Sequence, residues 1–286
     1  MTISGLEARL KRISAAWFYA LLLGVIGVVY APVIRELVRD WIHDPNYSHS
    51  FLIPLVAIFL IQRDRQRLKE LPRNPSNAGL IGILIAACLL ILGAAAAEVF
   101  TQRVSLIFLL GSCVYFLLGR AWARSMAFPI GFQLLAIPLP YVLYYGLTSP
   151  LQALSARCAV LGLRVIGVPV MAEGNVLHLQ STSLEVAEAC SGIRSLYSFL
   201  AIGALMAYSM KGPMWARLGV LLLTIPLTIF ANAFRVWASA VGAQLIGPQV
   251  TRGTIHELFG LLVFATALAF LLLIRKGVRD RWSSVP

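Results

Sequence analysis

The chain has 286 residues, of which 59% are hydrophobic and 13% charged, with a net charge of +12 and a mean hydropathy of +0.82. An ordinary soluble domain carries about 25% charged residues, so composition excludes one. Apolar runs able to cross about 30 Å of hydrocarbon recur along the whole length, which leaves no room for a separate soluble domain.

The expectation is therefore an all-α polytopic membrane protein forming a single domain over residues 1–286. Eight spans fit the hydropathy, roughly 15–34, 48–62, 78–97, 104–118, 126–145, 191–210, 214–233 and 256–274. The first is expected to be retained: its apolar stretch exceeds a signal-peptide core, and Tyr30-Ala31-Pro32 is a poor cleavage site. The longest segment between spans runs from Gly146 to Cys190. Within it, PLQALSARCAVLGLRVIG reads as an amphipathic helix lying at the interface. In GNVLHLQSTSLEVAEA, Val176, Leu177, Leu179, Leu184, Val186 and Ala187 alternate loosely with polar residues, which predicts a short hairpin.

Charge sets the orientation. With the N-terminus inside, the inner segments hold sixteen of the 24 Lys and Arg, including the runs 63–73 and 275–281. The remaining eight are all arginine (Arg35, Arg39, Arg103, Arg157, Arg164, Arg194, Arg235 and Arg252) and are matched by eight acids on the outer side, so the whole excess of +12 lies inside. Both termini are then cytoplasmic. The basic balance reports membrane orientation, and no solvated basic face is left for nucleic acid.

Four cysteines stand singly at 88, 113, 158 and 190, without CxxC or Cys/His ligand spacing, so neither a zinc site nor a disulfide framework is indicated. Cys88 and Cys113 fall inside apolar spans and read as packing residues; Cys158 shares helical spacing with Leu151, Leu154 and Leu161 and reads the same way. Cys190 alone has a polar neighbourhood, VAEACSGIRSL. There Ser191-Gly192 opens a span whose first-turn N–H groups would point toward the sulfur, with Arg194 one turn on, and both features lower a thiol pKa.

A cysteine that attacks a carbonyl also needs a proton donor for the leaving amine and a donor for the tetrahedral oxyanion. His256 and Arg235 supply those types at the same membrane face, from separate spans. Each also has a plainer reading: Arg235 as a snorkelling anchor, His256 as a polar residue at a helix start, Cys190 as a small hydrophobe. His49, in NYSHSF, lies at an outer span end and rivals His256 as the base, whereas His43 reads as a loop residue and His178 as a strand residue. No metal or organic cofactor is indicated.

Six segments, in this order and spacing, resemble the exosortase/archaeosortase family of membrane cysteine transpeptidases: YSHSFLIPL (47–55), FPIGFQLLAIPLP (128–140), IGVPVMAEGNVLHL (166–179), VAEACSGIRSL (186–196), ANAFRVW (231–237) and HELFG (256–260). The resemblance implies Cys190 as nucleophile with Arg235 and His256 as catalytic partners, and brings Arg194, Glu188, Asn232 and His49 in as supporting residues of the same signatures. It also implies a bacterial inner-membrane location and a substrate: an exported protein with a C-terminal tail made of a short Pro-Glu-Pro-like motif, a transmembrane helix and a basic end. The tail would be cut at the outer face and passed to an acceptor, in export linked to exopolysaccharide. The partners expected are such tailed proteins, the bilayer and an acceptor nucleophile the sequence does not identify. Two rivals remain: an intramembrane serine protease using Ser191, and a non-enzymatic component of polysaccharide export.

Overall fold

The structure is a computed structural model that describes residues 3–179, 183–185, 192–251 and 253–283. The chain divides into two compact units, residues 1–45 with 60–138 and residues 46–59 with 139–286.

In the first unit, helix α1 (Ile3–His43) packs on α5 (Val99–Leu118), which pairs along its length with α4 (Ala78–Ala95). Tyr30, Val33, Ala86 and Leu109 form the buried centre of this packing. Two polar contacts run through it: the hydroxyls of Tyr30 and Ser105 lie 3.0 Å apart, and buried Arg103 donates through Nη2 to Asp40 at 2.6 Å. Glu98 caps α5 by accepting from the backbone N–H groups of Phe100 and Thr101, which satisfies two amides that a helix start leaves open. Trp41 Nε1 donates to the carbonyl of Ala136, at the end of the 3-10 turn that extends α6 (Arg120–Gly131).

The second unit contains a 3-10 turn (Pro45–Phe51), α7 (Tyr141–Val165), three short strands, α8 (Ile193–Ser209), α9 (Met214–Leu245) and α10 (Gly253–Ser283). The predicted hairpin is present as three antiparallel strands: β1 (Val170–Glu173), β2 (Val176–Leu179) and β3 (Ser183–Glu185). Leu177 and Leu179 of β2 are buried against α7 and α9, with half-buried Val176 and His178 alternating between them. Phe199, Met206, Val220, Ala267 and Leu271 tie α8, α9 and α10 together. The C-terminus of α8 is held by two cations, as its dipole favours: Arg217 donates to the carbonyls of Ala207 and Tyr208, and Arg275 to the hydroxyl of Ser209.

Large apolar side chains lie open along the outer surfaces of these helices, Leu84 and Leu261 among them, as a bilayer requires. Among the described residues, α4, α5, α9 and α10 are long and apolar enough to cross, and α6 with its 3-10 extension and α7 pass the same test only as a pair, making up to five spans. This multi-pass helical architecture carries fewer clear spans than the eight expected, for identifiable reasons. The expected first span lies within the 41 residues of α1. The second coincides with α2 (Leu52–Arg63), whose 12 residues reach only about 18 Å. Pro138 and Pro140 break the fifth, because proline removes a helix hydrogen bond and bars its predecessor from helical geometry. The sixth, α8, has 17 residues.

Two further expectations need correction. The segment read as a separate interfacial helix is the second half of α7, continuous with Tyr141. It buries a stripe of Ala156, Ala159, Val160 and Leu163, and the row containing Leu154, Cys158 and Leu161 is the exposed one. Small residues allow close approach of α9 and the sheet, which decides the buried face over hydrophobicity. Cys88 is likewise exposed; only Cys113 joins a packed cluster, half-buried.

Candidate active site

The candidate residues of the second unit gather where α8 begins. Gly192 opens that helix with φ +81°, a left-handed conformation that disfavours any side chain. A methyl group there would also lie 2.9 Å from Cγ of Asn232. The N-cap of α8 and the middle of α9 are thus in direct packing contact through two of the sequence signatures, CSGIR and ANAFR. Asn232 is buried and donates through Nδ2 to the hydroxyl of Ser155 on α7 at 2.9 Å, which locks three helices at one point.

One turn further along α9, Arg235 Nη2 donates to Nε2 of His256 at 3.3 Å. A guanidinium has no acceptor, so in this contact Arg235 donates and Nε2 of His256 accepts. Gly260, one turn beyond His256 on α10, faces the same guanidinium: a methyl group there would sit 3.2 Å from Nη1. The first turns of α10 therefore clasp the end of Arg235, and the structure brings together the arginine and histidine that the sequence placed on separate spans.

Arg194 takes a different direction. Exposed on the first turn of α8, it donates through Nε to Oδ1 of Asn46 at 3.3 Å, and Asn46 Nδ2 donates to the Tyr144 hydroxyl at 3.0 Å. The Tyr47 hydroxyl accepts from the backbone N–H of Leu139 at 3.2 Å, and its ring meets Tyr197 edge-on at 5.5 Å. The 3-10 turn carrying His49 is in this way seated against α7 and α8, with the His49 ring centroid 6.4 Å from that of Tyr197. Cys190, Glu188 and Ser191 lie outside the described residues.

Sequence reasoning missed Ser155, Asn46, Tyr144, Tyr197 and the two glycines. Gly192 and Gly260 stood inside quoted signatures, CSGIR and HELFG, where a glycine beside a reactive candidate signals a tight turn or a close neighbour. Ser155 and Tyr144 carry no such mark, since a polar residue in an apolar helix announces only that it has a partner.

Gly192→Ala is expected to destabilise the protein by about 1–2 kcal/mol from the left-handed backbone alone, with a further loss as Asn232 is displaced. Thermal unfolding in detergent measures this. An unchanged midpoint would mean that the turn relaxes freely and does not position the start of α8.

Residues 41–273 match the family model for transmembrane exosortase (Exosortase_EpsH), a span that includes every candidate residue named above. No curated protein and no solved structure matches the chain. The match covers well over half of the sequence and runs through the signatures that meet at the start of α8: the chain belongs to the transmembrane exosortase family.

Proposed function

We propose that this membrane sorting enzyme is a cysteine transpeptidase, with Cys190 as nucleophile, His256 as acid and then base, and Arg235 as the donor that stabilises the oxyanion. Membership of the family supports sorting of exported proteins in general. The cysteine chemistry rests on one chain of contacts. Covalent geometry holds the Cα of Cys190 within about 7 Å of that of Gly192, Gly192 packs on Asn232, and Arg235, one turn on, donates to His256.

In the first half-reaction the Cys190 thiolate attacks the scissile carbonyl, and Arg235 balances the developing negative charge. His256, having taken up the proton of the Cys190 thiol, passes it to the amine as the C–N bond breaks, leaving a thioester at Cys190 and a neutral imidazole. An acceptor then attacks the thioester. The substrate is an exported protein whose tail has a short extended motif, a transmembrane helix and a basic end. The helix would pack in the bilayer against this bundle, since few residues outside the helices remain to bind a peptide unaided. Although the chain falls into two compact units, the family match extends through parts of both, which supports one functional domain. Charge asymmetry supports cytoplasmic termini and a site at the outer face of the inner membrane.

The test is to co-express a tailed substrate and search for a mass increase at Cys190 that hydroxylamine removes, the mark of a thioester. Reporter fusions at Pro286 and between Gly174 and Ser183 check the orientation. A processed substrate with no adduct under any trapping condition, or a reporter at Gly174–Ser183 reading as cytoplasmic, would overturn the reading.

A further inference from the structure

Two adjacent residues of the 3-10 turn, His49 and Ser50, carry three buried polar atoms without a hydrogen-bond partner among the described residues: Nδ1 and Nε2 of the imidazole and Oγ of the serine. Such groups are rare because leaving one unpaired forfeits its hydration. The turn around them is not loose. Asn46 is bonded to Tyr144 and Arg194, Tyr47 to Leu139, and Tyr47 is buried against Tyr197. His49 is thus held at a defined place beside Tyr197, on the second turn of α8, with both ring nitrogens shielded from water and engaged by nothing.

The contrast with His256 is chemical. His256 already accepts a hydrogen bond from Arg235, whereas His49 has a lone pair and an N–H to offer. His49 lies outside the clear spans, on the turn ahead of α2, where burial and then the charge of Arg194 push its pKa below the ordinary value. At neutral pH it is therefore a free base. An incoming nucleophile with an O–H or N–H group would satisfy it.

Resting on the cysteine reading above, but moving the second role from His256 to its rival, we propose that His49 is the base of the second half-reaction, taking the proton from the acceptor that discharges the Cys190 thioester while His256 serves the first step alone. As the acceptor oxygen or nitrogen bonds to the thioester carbonyl carbon, its proton passes to the imidazole. The tetrahedral intermediate collapses with loss of the Cys190 thiolate, the acylated acceptor leaves, and the imidazolium returns its proton to solvent. Water and an amine- or hydroxyl-bearing acceptor share this chemistry, and product mass separates them: a free acid from water, an amide or ester from the other.

The experiment uses the full-length protein in membranes with a co-expressed tailed substrate. His49→Gln and His49→Asn should accumulate the Cys190 adduct while release of processed product falls about a hundredfold or more, the usual contribution of a general base. Added hydroxylamine, a strong neutral nucleophile that needs no base, should discharge the accumulated adduct. Product release at the wild-type rate in both variants would overturn the proposal. So would loss of the adduct in both, because His49 would then serve the first step or only the fold. The Cys190→Ala protein distinguishes the two levels: processing by it sinks the cysteine reading and this inference together, whereas an inert Cys190→Ala beside normally active His49 variants sinks this inference alone.

Discussion

Replacing Cys190 by alanine or serine is expected to leave a tailed substrate uncut, a loss of about a thousandfold or more, as removal of a nucleophile costs in acyl-transfer enzymes. Alanine removes the attacking atom. Serine keeps a hydroxyl, but its proton is far harder to remove than that of a thiol, whose pKa near 8.5 the helix start and Arg194 can lower further. Both variants should still insert and unfold at the wild-type temperature, because the change is small and the packing of Gly192 on Asn232 remains. Immunoblots of substrate processing beside detergent unfolding of the enzyme make the measurement. Wild-type processing by Cys190→Ala would remove the cysteine from the mechanism; if Ser191→Ala were then inactive, the serine-protease alternative would take its place.

The parts of the fold set by local pattern were legible from the chain. The alternation in GNVLHLQ gave the strands, and the charge asymmetry marked the turns between helices. What escaped was set by tertiary packing. No hydropathy profile shows that the 126–145 stretch bends sharply, although Pro138 and Pro140 were there to be weighed. The buried face of α7 was misjudged because its alanines and Ser155 gain from close approach to α9 and β2 and not from their own hydrophobicity. At the site, the residue types of Arg235 and His256 were readable, and their contact at 3.3 Å was not. That contact depends on α9 and α10 meeting with a glycine at the crossing, a matter of helix packing that sequence spacing does not encode.

Arg235→Ala and His256→Ala should each lower turnover by about 10²- to 10⁴-fold, the range for a general acid or an oxyanion donor, and the double variant should be little worse than the poorer single. Non-additivity follows from the contact itself. The guanidinium that donates to Nε2 orients the imidazole, so losing Arg235 also misorients His256, and losing His256 removes a contact that orients the guanidinium. Two graded variants sharpen the test. Arg235→Lys should recover little, since an ammonium lacks the planar fork that serves a ring nitrogen and an oxyanion together. Gly260→Ala leaves every catalytic group in place but puts a methyl group 3.2 Å from Nη1, so the flexible end of Arg235 must shift. Its cost should fall on kcat more than on KM, because orientation in the transition state changes while the surface that binds the tail does not. Single-turnover formation of the Cys190 adduct reads all five variants against wild type on one scale. If the two alanine losses multiplied in the double variant, Arg235 and His256 would act independently, and their contact would be packing without catalytic consequence.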